Sequence, residues 1–144
     1  SGSLAVQLES AGVSVIDVAG AGGTSWSEVE KNRLNTLQDQ AVASRFKAWG
    51  IPTAECLRQM QAEDIKVPII SSGGLRDGLD LAKSLALGAT LGAYARVFLL
   101  AAHQGQAAMN EKVESLIREL RIAMFSCGAA KLSDLGPDKI TKDN

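Results

Sequence analysis

Three short segments of the 144-residue chain carry residue types suited to holding an anion. The first is Ala19 to Ser25 (AGAGGTS), directly after a β-branched run. Its glycines at 20, 22 and 23 let backbone approach a ligand closely, and Thr24 and Ser25 add hydroxyl donors at a helix start. The spacing is not GxGxxG, and such a turn serves equally well as a plain tight turn. The second segment is Ser72-Gly73-Gly74, with Arg76 and Asp77 ahead of a helix. Backbone N–H groups of such a turn, together with the helix dipole, form an anion site. The third is Ala95-Arg96, at the end of another strand-like run. In barrel enzymes the loops after the last two strands often hold a phosphate. The competing reading of Arg96 is a surface arginine paired with a carboxylate. Together the three turns point to a phosphate-bearing ligand.

The elements that must position these turns alternate. Leu4, Leu8 and Ala11 recur at helical spacing and Gly12 stops that helix. Val13 to Val18, Val67 to Ser71 and, more weakly, Ala89 to Tyr94 are predicted strands. Ser25 or Ser27 caps a short helix through Trp26, Val29 and Arg33, whereas the polar stretch Leu34 to Gly50 has no clear period. Pro52 opens a helix bearing Ala54, Leu57 and Met60 on one face. Leu79 to Leu87, stopped by Gly88, and Glu114 to Phe125 are further helices, and Gly136 to Asn144 is a polar, fraying tail. The order α-β-loop-α-β-α-β-α predicts an α/β fold of parallel strands with flanking helices. A complete (β/α)8 barrel takes about 250 residues, so there is room for less than half of one.

Composition removes several function classes. Apolar residues at 46% and charged residues at 22% exclude wholesale disorder. Fifteen basic against sixteen acidic residues leave a net charge of −1, so nucleic acid is not an expected partner. The longest nearly uncharged stretch, Leu85 to Ala95, is too short to span a bilayer, and Ser1 to Ala11 does not read as a signal peptide. Cys56 and Cys127 are too far apart in sequence for a redox or metal motif, which suits a reducing, cytoplasmic setting. The single histidine, His103, reads as a solvated helix-end residue; no metal site and no Ser/His/Asp set can be assembled around it. Asp17 reads as a structural hydrogen-bonding group, and Glu28 to Glu30 as a solvated helix face. Trp26 and Trp49 suit either apolar packing or stacking on a flat ring. Cys127 reads as a small buried apolar residue.

Longer strings are more specific. IDVAGAGGTSWSEVE (Ile16 to Glu30), GIPTAECL (Gly50 to Leu57), SSGGLRDGLDLAKSLALGA (Ser71 to Ala89), AYAR (Ala93 to Arg96) and ELRIAMFSCGA (Glu119 to Ala129) occur in order along nearly the whole chain. This set resembles the C-terminal part of type 2 isopentenyl diphosphate isomerase. The resemblance implies an FMN-dependent (β/α)8 TIM barrel that interconverts isopentenyl and dimethylallyl diphosphate. It also implies reduced FMN as acid/base, with Mg2+ and NADPH serving the whole enzyme. Carried over by position, Thr24 would contact the flavin and Ala19 would line the same site. Gly73 and Gly74, with the turn through Arg76 to Asp77, and the pair Ala95-Arg96 would hold the FMN phosphate.

The chain departs from that family at two places. Val97 stands where a proline usually follows the Ala-Arg pair, so that loop is expected to be less rigid. Ala19 stands where many relatives have serine, which removes one flavin hydrogen bond. The resemblance further implies that residues 1–135 supply about three βα units, the sixth to eighth strands of the barrel. The family's groups for the diphosphate and the metal would then lie elsewhere. The expectations are therefore that the isolated chain does not turn over, that no catalytic residue can be assigned within it, and that it self-associates. Alternatives are a phosphate- or FMN-binding α/β module, an oligomeric scaffold whose open strand edges pair with themselves, or another FMN-barrel oxidoreductase. The last would need a histidine-arginine pair beside the flavin.

Overall fold

The computed structural model describes residues 1–141. Helix α1 (Gly2–Ser10) starts where the Ser1 hydroxyl accepts the Leu4 N–H, and it ends ahead of Gly12, whose φ of +85° reverses the chain. Three parallel strands follow in spatial order β1-β2-β3: β1 (Ile16–Asp17), β2 (Ile69–Ser71) and β3 (Leu91–Gly92). Ile16 pairs with Ile69, and Ile70 pairs with Leu91. Each strand is shorter than the predicted run that contains it: β1 and β2 fall in the later part of Val13 to Val18 and Val67 to Ser71, and β3 in the middle of Ala89 to Tyr94. The ladder extends only as far as Val18 N–H to Ile70 O (3.0 Å) and Ala93 N–H to Ser71 O (2.8 Å). Beyond it, Val13 instead donates to Leu8 O and completes the exit from α1.

Between β1 and β2 lie α2 (Trp26–Lys31), α3 (Leu37–Arg45) and α4 (Thr53–Ala62). Ser25 stands at the start of α2, as its sequence suggests. Within the unread stretch, Thr36 caps α3 by accepting the Asp39 N–H at 3.1 Å. Pro52 sits one position ahead of α4, where its missing N–H costs nothing. The excursion is pinched at its base: Ala21 N–H donates to Ile51 O at 2.8 Å, and Thr53 N–H returns to Ala21 O at 3.2 Å.

After β2 come α5 (Gly78–Ala86), β3, α6 (Arg96–Gln104) and α7 (Gln106–Ser126). The sequence revealed only the second half of α7 and none of α6. Gly105, at φ +111°, breaks what is otherwise a continuous helical path. Short 3-10 turns cover Leu132–Asp134 and Pro137–Lys139. Ile140, within the predicted polar tail, packs against both apolar clusters; Lys142 to Asn144 lie outside the described residues.

One cluster joins Ala5, Ile16, Leu57, Met60, Ile69, Leu87 and Ala89. Leu57 is 1% exposed, a burial worth about 2 kcal/mol. The other joins Ala82, Ala86, Ala129 and Leu135. Helix α1 is held on α4 by Gly2 N–H to Gln59 Oε1, and Glu9 Oε1 accepts the N–H groups of Lys66 and Val67 on the way into β2. Gly78 lies so close to α7 that a Cβ there would meet Leu116 O at 2.5 Å.

Candidate functional site

Because the strands are parallel, the turns that follow them share one edge of the sheet. The turn after β1 and the turn after β2 lie directly against each other. A Cβ on Gly73 would strike the Gly20 backbone, one on Gly74 would strike the Gly22 backbone, and one on Gly22 would meet Gly73 O at 2.8 Å. Gly73 and Gly74 also adopt φ of +90° and +103°. Their glycine character is thus demanded by turn-on-turn packing and by backbone conformation together. The buried Thr53 hydroxyl reaches Gly73 O (2.7 Å) and Ser72 O (3.0 Å). Asp17 Oδ1 accepts from Ser72 Oγ and from Ala19 N–H, so Asp17 has the structural role its strand position suggested. Ala19, at φ +37°, is held in the left-handed region by these bonds. Thr53 was not singled out from the sequence, and Ser72 was read only as part of its glycine turn, since the bonds of both depend on contacts between segments 20 and 53 residues apart.

The start of α5 differs from what the sequence suggested. Asp77 Oδ1 accepts the Asp80 N–H at 2.8 Å, Asp80 Oδ2 accepts the Arg76 N–H at 3.0 Å, and Glu119 Oε2 accepts the Gly78 N–H at 2.6 Å. Three carboxylates therefore occupy this positive helix end, and the expected contribution of its dipole to an external anion is already taken up internally. Asp77 is a helix cap here, and the Arg76 guanidinium is exposed with no ion pair among the described residues.

Helix α6 begins differently. Ala95 precedes it without any side-chain cap, and the first helical bond is Leu99 N–H to Ala95 O. The N–H groups of Arg96, Val97 and Phe98 meet no protein acceptor among the described residues, and neither do those of Gly73 and Gly74. Arg96 is exposed and has no carboxylate partner among the described residues, so the surface ion pair that competed for it is not formed. Backbone N–H donors flanking a free guanidinium form a set chemically suited to a phosphate dianion. Tyr94, just before this helix, donates its hydroxyl to Asp77 O at 2.9 Å. Burial, helped by the carboxylates of Asp77, Asp80 and Glu119, pushes its pKa up to about 12.

Ala19 and Thr24 line a cavity of about 540 Å³ with Trp26, Phe46, Trp49 and Cys56. Gly22 and Gly23 form its wall toward Gly73 and Gly74, whereas Arg76, Asp77, Ala95 and Arg96 lie outside it. Trp26 and Trp49 are 78% and 81% exposed in this chain, and Trp49 meets the edge of Phe46 with ring centroids 5.7 Å apart. Glu28 is not fully solvated as expected: one carboxylate oxygen is buried without a partner while the other approaches Lys31 at 3.5 Å. His103 is exposed in the last turn of α6, and Cys127 is half-buried just after α7. No group of three or more potential metal ligands occurs among the described residues, and no described helix is long and apolar enough to cross a membrane.

Parallel βα units with donor-rich turns at one strand edge are the architecture of phosphate-binding barrel enzymes, and comparison with known proteins defines the class. The model of the FMN-dependent dehydrogenase family matches residues 3–142, and the chain belongs to that family. Within it, the chain is similar to proteins named isopentenyl-diphosphate delta-isomerase. It is 47% identical over 135 residues to that of Nostoc sp., an alignment covering 94% of this chain and 39% of the relative. Against that of Synechococcus sp. it is 51% identical over 122 residues, covering 85% of this chain and 35% of the relative. The chain thus spans under two fifths of the length of these relatives. A solved structure of a flavocytochrome b2 mutant with benzoylformate superposes with a TM-score of 0.59 at 21% identity, over 94% of this chain and 36% of the other. The fold is accordingly a set of three βα units shared with part of such flavoenzymes.

Proposed function

We propose that this chain is part of an FMN-dependent isopentenyl-diphosphate delta-isomerase of the cytoplasm, acting in isoprenoid biosynthesis, and that its share of the work is to hold the cofactor. The observation that carries this reading is the pair of donor sets at one sheet edge, Gly73-Gly74 and the uncapped start of α6 with Arg96. It stands beside the similarity to isomerases at 47% and 51% identity. In this reading Gly73, Gly74, Arg96 and the backbone at Ala95 hold the phosphate, with Arg76 close by in sequence to add charge. Thr24, on the cavity wall beside Ala19, offers a hydroxyl to the ring system, and the exposed indoles of Trp26 and Trp49 flank that cavity. When bound and reduced, FMN would supply the acid/base function that moves a proton between the two diphosphates. The residues that grip the substrate diphosphate and Mg2+, and those that meet NADPH, belong to the remainder of the enzyme. The isolated chain therefore binds cofactor without isomerising substrate.

The test is a titration of the chain with FMN followed by flavin fluorescence, with riboflavin as the comparison. Saturable FMN binding that riboflavin cannot match is the expected result. Equal binding of both, or none of either, sinks the assignment of the phosphate grip. Conversion of isopentenyl to dimethylallyl diphosphate by the chain with reduced FMN and Mg2+ would overturn its assigned lack of turnover.

A second reading, self-association, draws on exposed apolar side chains beside and on the edge strands: Val15 is 46% and Leu91 is 59% exposed. A solution mass independent of concentration would remove it.

A further inference from the structure

Tyr94 lies where three elements converge. It lies two residues beyond β3, and its hydroxyl donates to the carbonyl of Asp77, the residue that caps α5. That same carbonyl accepts the Leu81 N–H at 3.3 Å, so the phenol is a second donor to an oxygen already used by the helix. The ring meanwhile tilts against Phe98 in the first turn of α6, with centroids 5.4 Å apart. Upstream of Asp77 the chain runs back within four residues to Gly73-Gly74; downstream of Tyr94 it enters the free N–H groups of α6 within two. One side chain is therefore bonded to the segment carrying one donor set and stacked on the element carrying the other.

The opposite side of α5 is anchored independently. Glu119, on α7, accepts the Gly78 N–H and is steadied by the Ser115 hydroxyl at 3.0 Å. With α5 pinned on that side and α6 packed along α7, Tyr94 is the side chain that ties the entry to α6 directly to the start of α5. The phenol is protonated, and hence a donor, throughout the neutral range, and burial together with the nearby carboxylates raises its pKa further.

We propose that Tyr94 is a positioning residue that fixes the separation between the Gly73-Gly74 turn and the start of α6, so that one phosphoryl group is read by both donor sets at once. This rests on the phosphate reading of the preceding subsection. Tyr94 touches no ligand atom in this scheme; it acts through the two backbone segments it joins. Its removal should lower affinity for the phosphate monoester and leave the contribution of the ring untouched.

The experiment compares the full chain with Tyr94→Phe, which keeps the ring contact with Phe98 and deletes only the hydroxyl. FMN affinity is expected to fall about five- to tenfold, the effect of one hydrogen bond. Riboflavin affinity should stay constant, and inorganic phosphate should become a correspondingly poorer competitor of FMN. Unchanged FMN affinity in Tyr94→Phe overturns the proposal, as does a parallel loss for FMN and riboflavin, which is the mark of a merely structural role. A wild-type chain that binds FMN no better than riboflavin overturns the phosphate reading and this inference with it; a preserved wild-type preference that Tyr94→Phe retains overturns this inference alone. Should Tyr94→Phe fail to fold, Phe98→Leu probes the other arm of the strut. It keeps the hydroxyl bond, loosens the ring contact, and is expected to weaken FMN about two- to threefold; no selective loss there overturns the proposal.

Discussion

The first turns of α5 and α6 follow neighbouring strands, open on the same edge of the sheet and have similar lengths, yet they end in opposite electrostatic states. Helix α5 begins among Asp77, Asp80 and Glu119, each accepting a backbone N–H, whereas α6 begins with no cap and an exposed Arg96. A helix start supplies unsatisfied N–H groups in either case. What differs is whether the chain answers them with its own carboxylates or leaves them for something else. The lesson is that a glycine turn ahead of a helix is not yet an anion site. The question that decides it is where each N–H already points.

The strongest way to break this contrast is at the glycines where the turns after β1 and β2 press together. Gly74→Ala forces a methyl into the Gly22 backbone at φ +103° and should destabilise the chain by about 3 kcal/mol, seen as a lowered urea midpoint, with flavin binding lost as well. A milder change sharpens the contrast. Arg96→Ala should weaken FMN about tenfold or more with the urea midpoint unmoved, because the guanidinium meets no carboxylate among the described residues. Asp77→Ala should do the reverse, lowering stability by about 1 kcal/mol through loss of the cap while FMN affinity changes little. If the two substitutions give the same pattern, the distinction between the helix starts is wrong.

A pH dependence, visible only at strongly alkaline pH, sharpens the contrast further. Tyr94 keeps its proton in the folded chain up to about pH 12, whereas in the unfolded chain it loses it near pH 10. Its contribution to stability is therefore complete below pH 10 and declines from there as the pH rises through 12. Urea midpoints of wild type and Tyr94→Phe measured across that window should converge as pH increases.

The contrast also marks how far the sequence could be read. Glycine turns after β-branched runs placed Gly73, Gly74 and Arg96 on one sheet edge, since alternation of strand and helix forces parallel strands. That α5 is internally capped depends on Glu119, 41 residues beyond Gly78, and no local pattern announces such a partner. Helix α6 escaped notice because it starts without a capping residue and runs through VFLLAA, an apolar block with no polar face to reveal a period. The strands came out shorter than their apolar runs because hydrogen bonding, not composition, sets where a ladder ends. Helix α3 was hidden in a stretch rich in polar residues, and none of its residues is buried.

That last helix belongs to the excursion whose two ends meet at the bonds between Ala21, Ile51 and Thr53. Neither α2 nor α3 contributes a buried residue, so the core is complete without them. Closing a loop costs only about 0.6 kcal/mol more for each doubling of its length. The stretch from Glu28 to Arg45 is thus a cassette on a fixed hinge point, free to lengthen or shorten while the sheet beneath it keeps its register. Divergence of specificity within such a lineage has a natural place to happen, one where novelty at the mouth leaves the anchoring turns intact.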